Sequence, residues 1–127
     1  MAGYNGYLPA MPLLFSYGSL QQPDVQRSTF GRLLQGYADE LPEYEPSLVE
    51  IEDVTAAAAA SGATHYANVT FNGRSDSRVS GTVFEVSDVE LAAADGYEKI
   101  ANYRRIAATL ASGTQAWLYV DGRPSGK

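Results

Sequence analysis

The sequence predicts a single α+β domain whose mixed, mostly antiparallel strands curl into a small β-barrel with a few helices. Three observations lead there. Segments with the two-residue period of strands outnumber helical ones. The helices are inserted singly, with no regular βαβ alternation to build a parallel sheet. And 127 residues suffice for one buried core but not for two independent ones. The domain is expected to run over residues 13–121, with flexible ends at 1–12 and 122–127, which are rich in Gly, Pro, Tyr or Ser.

Leu13 to Tyr17 is an apolar strand stopped by Gly18. Pro23 and Asp24 have the pattern of a first helical turn, and Val25, Thr29, Leu33 and Leu34 form an inward stripe with Gly36 as the stop. Gly36 to Pro46 is acidic, aromatic and broken by two prolines, which predicts a loop before a strand at Leu48 to Glu52. Asp53 can cap a short helix over Ala56 to Ala60 that Gly62 would end. Thr64 to Phe71 alternates as a strand, with His65, Ala67, Val69 and Phe71 on one side, and Asn72-Gly73 turns the chain.

Val79 to Val86 is a further strand. Ser87-Asp88-Val89-Glu90 then has the spacing of a capping box, in front of an alanine-rich helix reaching Tyr97 or Glu98. Tyr103 to Leu110 and Gln115 to Val120 pair as a hairpin around Ser112-Gly113.

Charge and composition narrow the chemistry. Fifteen acidic against nine basic residues give a net charge of −6, the wrong sign for neutralising phosphates, so neither nucleic acid nor an anionic membrane is expected as a partner. The lack of cysteine excludes thiolate catalysis and thiolate metal sites, the one histidine leaves only carboxylates beside it to hold a metal, and neither zinc nor any other metal or cofactor is expected. No Gly-rich nucleotide loop is present. Residues Met1 to Pro12 contain no Lys or Arg and no long apolar run, so neither a signal peptide nor a membrane span is predicted and the expected location is cytoplasmic. The sequon Asn68-Val69-Thr70 carries no weight in that setting.

The candidate chemistry lies in two places. In Leu14-Phe15-Ser16-Tyr17-Gly18-Ser19-Leu20 an apolar strand runs into a turn whose backbone N–H groups are free to point at an anion. Far downstream, Glu98 ends a helix, where the dipole disfavours negative charge and raises a carboxylate pKa unless Lys99 or Arg104 compensates it. A proton-transferring carboxylate facing an anion cradle needs no cofactor. Each feature alone has a simpler explanation: a Gly turn at a strand end, and a solvated helix carboxylate. Ser19 as a nucleophile lacks both a nearby histidine and a GxSxG elbow. His65, Tyr37, Tyr44 and Tyr66 fit packing or rim positions.

The two features gain force from the residues just beyond Glu98. The set LFSYGSL and LAAADGYEKIANYRR resembles the gamma-glutamylcyclotransferase-like superfamily, especially its avirulence-induced-gene-like and gamma-glutamylamine cyclotransferase branch. Leu91, Asp95, Tyr97, Glu98, Tyr103 and Arg104-Arg105 fill the family pattern. Lys99-Ile100-Ala101-Asn102 departs from it, since gamma-glutamylamine cyclotransferases usually carry a proline there.

The resemblance implies an enzyme that releases 5-oxoproline and a free amine from a small gamma-glutamyl amine or peptide. The substrate's own α-amine attacks its γ-carbonyl, with Glu98 as base and then acid. It further implies Tyr17, Gly18, Ser19, Leu20 and Tyr103 as substrate-binding residues, with no cofactor. The alternative on the same fold is a non-catalytic module that binds a small molecule.

Overall fold

The computed structural model describes residues 11–50 and 65–122. Strand β1 (Leu13–Ser16) is short and apolar because both of its faces are covered. Leu14 and Phe15 are essentially inaccessible to water. They belong to different cores: Leu14 packs with Leu20, Leu91 and Tyr119 on the helical face, and Phe15 with Leu41, Val83 and Leu118 on the other.

The chain leaves β1 through a 3-10 turn (Ser19–Gln21) into helix α1 (Pro23–Phe30). The helix stops at Gly31, whose φ of 76° is the left-handed cap that glycine adopts without strain. The expected end at Gly36 is therefore five residues too late. Leu33, beyond the helix, is 46% exposed. The buried residue of α1 is instead Gln26. Its amide donates to the Leu20 carbonyl at 2.9 Å and its oxygen accepts from the Leu34 N–H at 2.9 Å, so both polar ends are satisfied indoors.

The predicted loop at Gly36 to Pro46 is a strand and the start of another. Strand β2 (Gly36–Pro42) pairs antiparallel along its whole length with β5 (Arg78–Glu85). It is an edge strand, where Pro42 removes no shared hydrogen bond. Glu43, with φ 70°, turns the chain into β3 (Tyr44–Glu50), and its carbonyl accepts from the N–H groups of Asn72 and Gly73. Strand β3 pairs with β4 (His65–Phe71) as a two-stranded sheet. The expected strand at Leu48 to Glu52 thus starts four residues earlier. The expected helix with Asp53, Ala56 to Ala60 and Gly62 lies outside the described residues.

Helix α2 (Asp88–Lys99) opens with the predicted capping box, both reciprocal hydrogen bonds being present. The Glu90 carboxylate also grips Arg32, at 2.6 and 2.9 Å, which ties the segment after α1 to the start of α2. The hairpin of β6 (Tyr103–Thr109) and β7 (Gln115–Asp121) comes next as expected, with Gly113 at φ 91°.

The main sheet has the order β2-β5-β1-β7-β6, with one parallel pairing, Leu14 against Trp117. The segments around Val83, Ile106 and Leu118 share this sheet with β1. The sheet curls until its far ends touch: Ala111 N–H donates to the Glu40 carbonyl at 2.8 Å, and Ser112 Oγ donates to Asp39 at 2.6 Å. No ladder joins β2 to β6 among the described residues, so the expected barrel is a curled sheet pinned by a loop. Below that pin an open cleft of about 520 Å³ lies between Leu41 and Pro42 on one side and Ala107 to Leu110 on the other.

The β3–β4 hairpin leans on β7, where Asp121 N–H donates to Asn68 Oδ1 at 3.0 Å. Among the described residues no helix is long and apolar enough to cross a membrane.

Candidate active site

The apolar pull that buries Leu14 and Phe15 in the sheet delivers Tyr17, Gly18 and Ser19 to its edge, beside the last turn of α2. Leu20, 2% exposed, anchors the turn by packing into the helical core. Gln21 Oε1 accepts from Thr82 Oγ1 at 2.9 Å and fixes its other end. The Gly18 N–H donates weakly to Ser16 Oγ at 3.3 Å. The Ser19 and Leu20 N–H groups open the 3-10 turn and have no acceptor among the described residues.

Gly18 stands at the start of this turn. Its φ is −133°, outside the left-handed region, and a Cβ placed there would lie 4.0 Å from Ala67 Cβ, an ordinary contact.

Tyr17 is half-buried, and its hydroxyl donates to the Tyr119 carbonyl at 2.5 Å. Burial first, and then the negative fields of Tyr103, Glu98 and Asp121, push its phenol well above the usual range. Tyr17 and Glu98 thus share one electrostatic environment. A second link runs through the neighbour of Glu98, since Ser19 Oγ and the Tyr97 hydroxyl lie 2.8 Å apart. The turn at Ser19 thus lies against the last turn of α2, next to Glu98 in sequence.

Glu98 is pushed up to about 7, and the cause is burial. Neither Lys99 nor Arg104 forms an ion pair with it among the described residues. The compensation expected at the helix end is absent, and desolvation perturbs the carboxyl instead. A carboxyl at this value can hold or release a proton near neutrality.

Tyr103 stands opposite Asp121 in the β6–β7 ladder. Its hydroxyl donates to the Ala67 carbonyl of β4. Alternation along β6 leaves Arg104 exposed and turns Arg105 toward α2. Arg105 Nε lies 3.6 Å from Asp95 Oδ1, and its guanidinium stacks 4.6 Å from the Trp117 ring centre.

Sequence reasoning missed Tyr119 and Asp121, both from the last strand. Their one sequence signal is placement two residues apart, on the face that Tyr103 shares across the hairpin. Of the tyrosines assigned to packing, Tyr44 meets Phe71 edge to face at 5.4 Å and Tyr37 is half exposed. The side chains of His65 and Tyr66 lie outside the described residues. No group of three or more His, Asp or Glu gathers as a metal site among the described residues.

Comparison with known proteins agrees with this fold. A solution structure from Arabidopsis thaliana superposes with a TM-score of 0.66 at 21% identity, covering 92% of this chain and 66% of that one. A second Arabidopsis thaliana protein gives 0.64 at 18% identity, with 94% and 77% covered. A structure described as a gamma-glutamyl cyclotransferase gives 0.68 at 15% identity, with 86% and 65% covered. At these identities the likeness is one of fold. The chain spans about two thirds of the length of the first and third of these structures. No curated protein matches the sequence. A family model described as gamma-glutamyl cyclotransferase, AIG2-like, matches residues 14–126, nearly the whole chain. The chain belongs to the AIG2-like gamma-glutamyl cyclotransferase family.

Proposed function

We propose that this protein releases 5-oxoproline and a free amine from a small gamma-glutamyl amine or gamma-glutamyl peptide, with Glu98 as the single proton-transfer group and no cofactor. The observation that carries the reading is a half-buried carboxyl, pushed up to about 7 without a cationic partner, in the same electrostatic environment as Tyr17.

In this reaction Glu98, ionised, takes a proton from the substrate's α-ammonium. The neutral amine attacks the γ-carbonyl carbon, forming the C–N bond of the five-membered ring and placing negative charge on the carbonyl oxygen. The Ser19 and Leu20 N–H groups are oriented donors for that charge or for the substrate's carboxylate. Collapse breaks the bond to the leaving nitrogen as that nitrogen receives the proton from Glu98. The ring nitrogen then gives up its second proton by way of the regenerated carboxylate, so that the amine departs as its ammonium ion and the ring nitrogen becomes a neutral lactam N–H. No water is consumed and no protein nucleophile forms a bond. Because nucleophile and electrophile share one molecule, folding it into the reactive conformer can exploit effective molarities on the order of 10⁵ M or more. In this reading Tyr17, Gly18 and Tyr103 line the pocket around the substrate.

The test is 5-oxoproline release from a panel of gamma-glutamyl amines, gamma-glutamyl dipeptides and glutathione, alongside calorimetric binding, for wild type and Glu98→Gln. Glutamine keeps the shape but cannot take the ammonium proton, so turnover is expected to fall roughly 10²-fold or more while binding survives. Unchanged turnover in Glu98→Gln would sink the mechanism. Tight binding with no turnover in either protein would identify a non-catalytic binding module.

A further inference from the structure

The end of α2 that carries Glu98 is tied down by a contact that the proton-transfer chemistry leaves unused. Tyr119, 5% exposed, packs its ring in the helical core with Leu14, Leu20, Leu91 and Ala94. Its hydroxyl donates to Asp95 Oδ1 at 2.7 Å. Its carbonyl accepts the Tyr17 hydroxyl at 2.5 Å. One residue of β7 thus holds α2 through its side chain and the segment after β1 through its backbone. Asp95 and Glu98 are three residues apart in α2 and so lie on neighbouring positions of one helix face. From β6, Arg105 reaches the same Asp95 oxygen at 3.6 Å.

We propose that Tyr119, acting through Asp95, is the positioning residue for Glu98: the hydrogen bond from β7 to α2 sets how deeply the helix end presents that carboxyl beside Tyr17. The proposal rests on the reading of Glu98 as the proton-transfer group. A core phenol is most often kept for its ring. Here the hydroxyl has a charged acceptor on the one helix whose depth matters, and a charge-assisted hydrogen bond is shorter and stronger than a neutral one. The charged and titratable groups at this end of α2 include Tyr17, Tyr103 and Arg105 of β6, Tyr119 and Asp121 of β7, and Asp95, Tyr97 and Lys99 of α2 itself. Because burial is what perturbs Glu98, loosening the helix end admits water and returns the carboxyl toward the ordinary range.

The experiment tracks the Glu98 carboxyl carbon by ¹³C NMR through a pH titration, with Glu98→Gln assigning the signal, in wild type, Tyr119→Phe, Asp95→Ala and Asp95→Asn. Tyr119→Phe keeps the ring and removes only the donor. The midpoint for Glu98 is expected to drop toward that of an exposed glutamate in Tyr119→Phe and Asp95→Ala. In Asp95→Asn, which retains an oxygen for the phenol, it stays near wild type. With the best gamma-glutamyl substrate, kcat of Tyr119→Phe falls roughly 10-fold or more with little change in KM, as expected for a misplaced group.

A titration midpoint unchanged in Tyr119→Phe overturns the proposal. So does an Asp95→Asn midpoint as low as that of Asp95→Ala, which would assign the effect to charge. If Tyr119→Phe does not fold, the Asp95 pair decides alone. A wild type that releases no 5-oxoproline defeats the cyclotransferase reading, while the titration still tests the positioning.

Discussion

Glu98 is held where its ionised form is disfavoured, and that has a signed effect on stability. Its ordinary value is 4.5 and its folded value about 7. The folded state therefore binds this proton more tightly than the unfolded chain does. The stabilisation is fully present below about pH 4.5 and is lost as pH rises through about 7. The shift corresponds to about 3 kcal/mol. Urea denaturation of wild type and Glu98→Gln at about pH 5 and about pH 8 should show the variant gaining on wild type at the higher pH by up to that amount. An equal difference at both values would mean that Glu98 is solvated.

Gly18 gives a second prediction at the same scale. A Cβ there would meet Ala67 Cβ at 4.0 Å, an ordinary contact, so Gly18→Val is expected to cost ligand affinity, by filling the space beside the cradle, more than it costs folding. Wild-type affinity would count against a cradle at this turn. The sequence exposed Tyr17 and Glu98 because each ends a segment of clear periodicity. Tyr119 and Asp121 stayed hidden, because a strand's sequence says which residues share a face but not which helix will lie against that face.

Among the elements, α2 is the one whose start the sequence specifies most completely, since a capping box is local chemistry that needs no tertiary context. Ser87→Ala removes the acceptor for the Glu90 N–H and should cost about 1 kcal/mol in denaturant unfolding. No loss would mean that the Arg32 pair alone holds the helix start. The Glu90 carboxyl is pulled down to about 2, first by its hydrogen bond to Arg32. Its contribution fades as pH falls below about 4.5, in a window distinct from that of Glu98.

The segment 36–46 was illegible for the opposite reason. Its prolines and acids are loop-forming by composition, and it becomes strand only because β5 offers an edge to residues 36–42 and β4 a partner to residues 44–46. Helix α1 likewise ends at Gly31 and not Gly36: both glycines are compatible with a stop, and packing of Gln26 and Leu34 selects between them.

For the molecule as a whole, the fold class was legible and the closure of the barrel was not. Alternation and inserted helices fix the α+β composition, whereas closure depends on contacts as distant in sequence as Glu40 and Ala111. The curl also needs absent side chains. A Cβ on Gly81 would lie 2.4 Å from the Ser16 carbonyl and 2.6 Å from the Phe15 ring. Gly81→Ala should therefore force β5 away from β1 at the centre of the sheet, with a cost of roughly 1–3 kcal/mol or more. Thermal unfolding would register it, and a wild-type midpoint would show that the strands part freely.

The pairing of β1 has a consequence for the order in which the protein becomes whole during synthesis. The first described strand sits between β5 and β7, and its parallel partner holds Trp117, near the end of the described chain. Leu14 and Phe15 leave the ribosome long before β7 exists, and until it arrives the centre of the sheet has an open apolar flank. A nascent chain in that state offers other chains a template for pairing. Folding here is completed from the last strand backwards, and a chain cut short before β7 loses the middle of its sheet along with its edge.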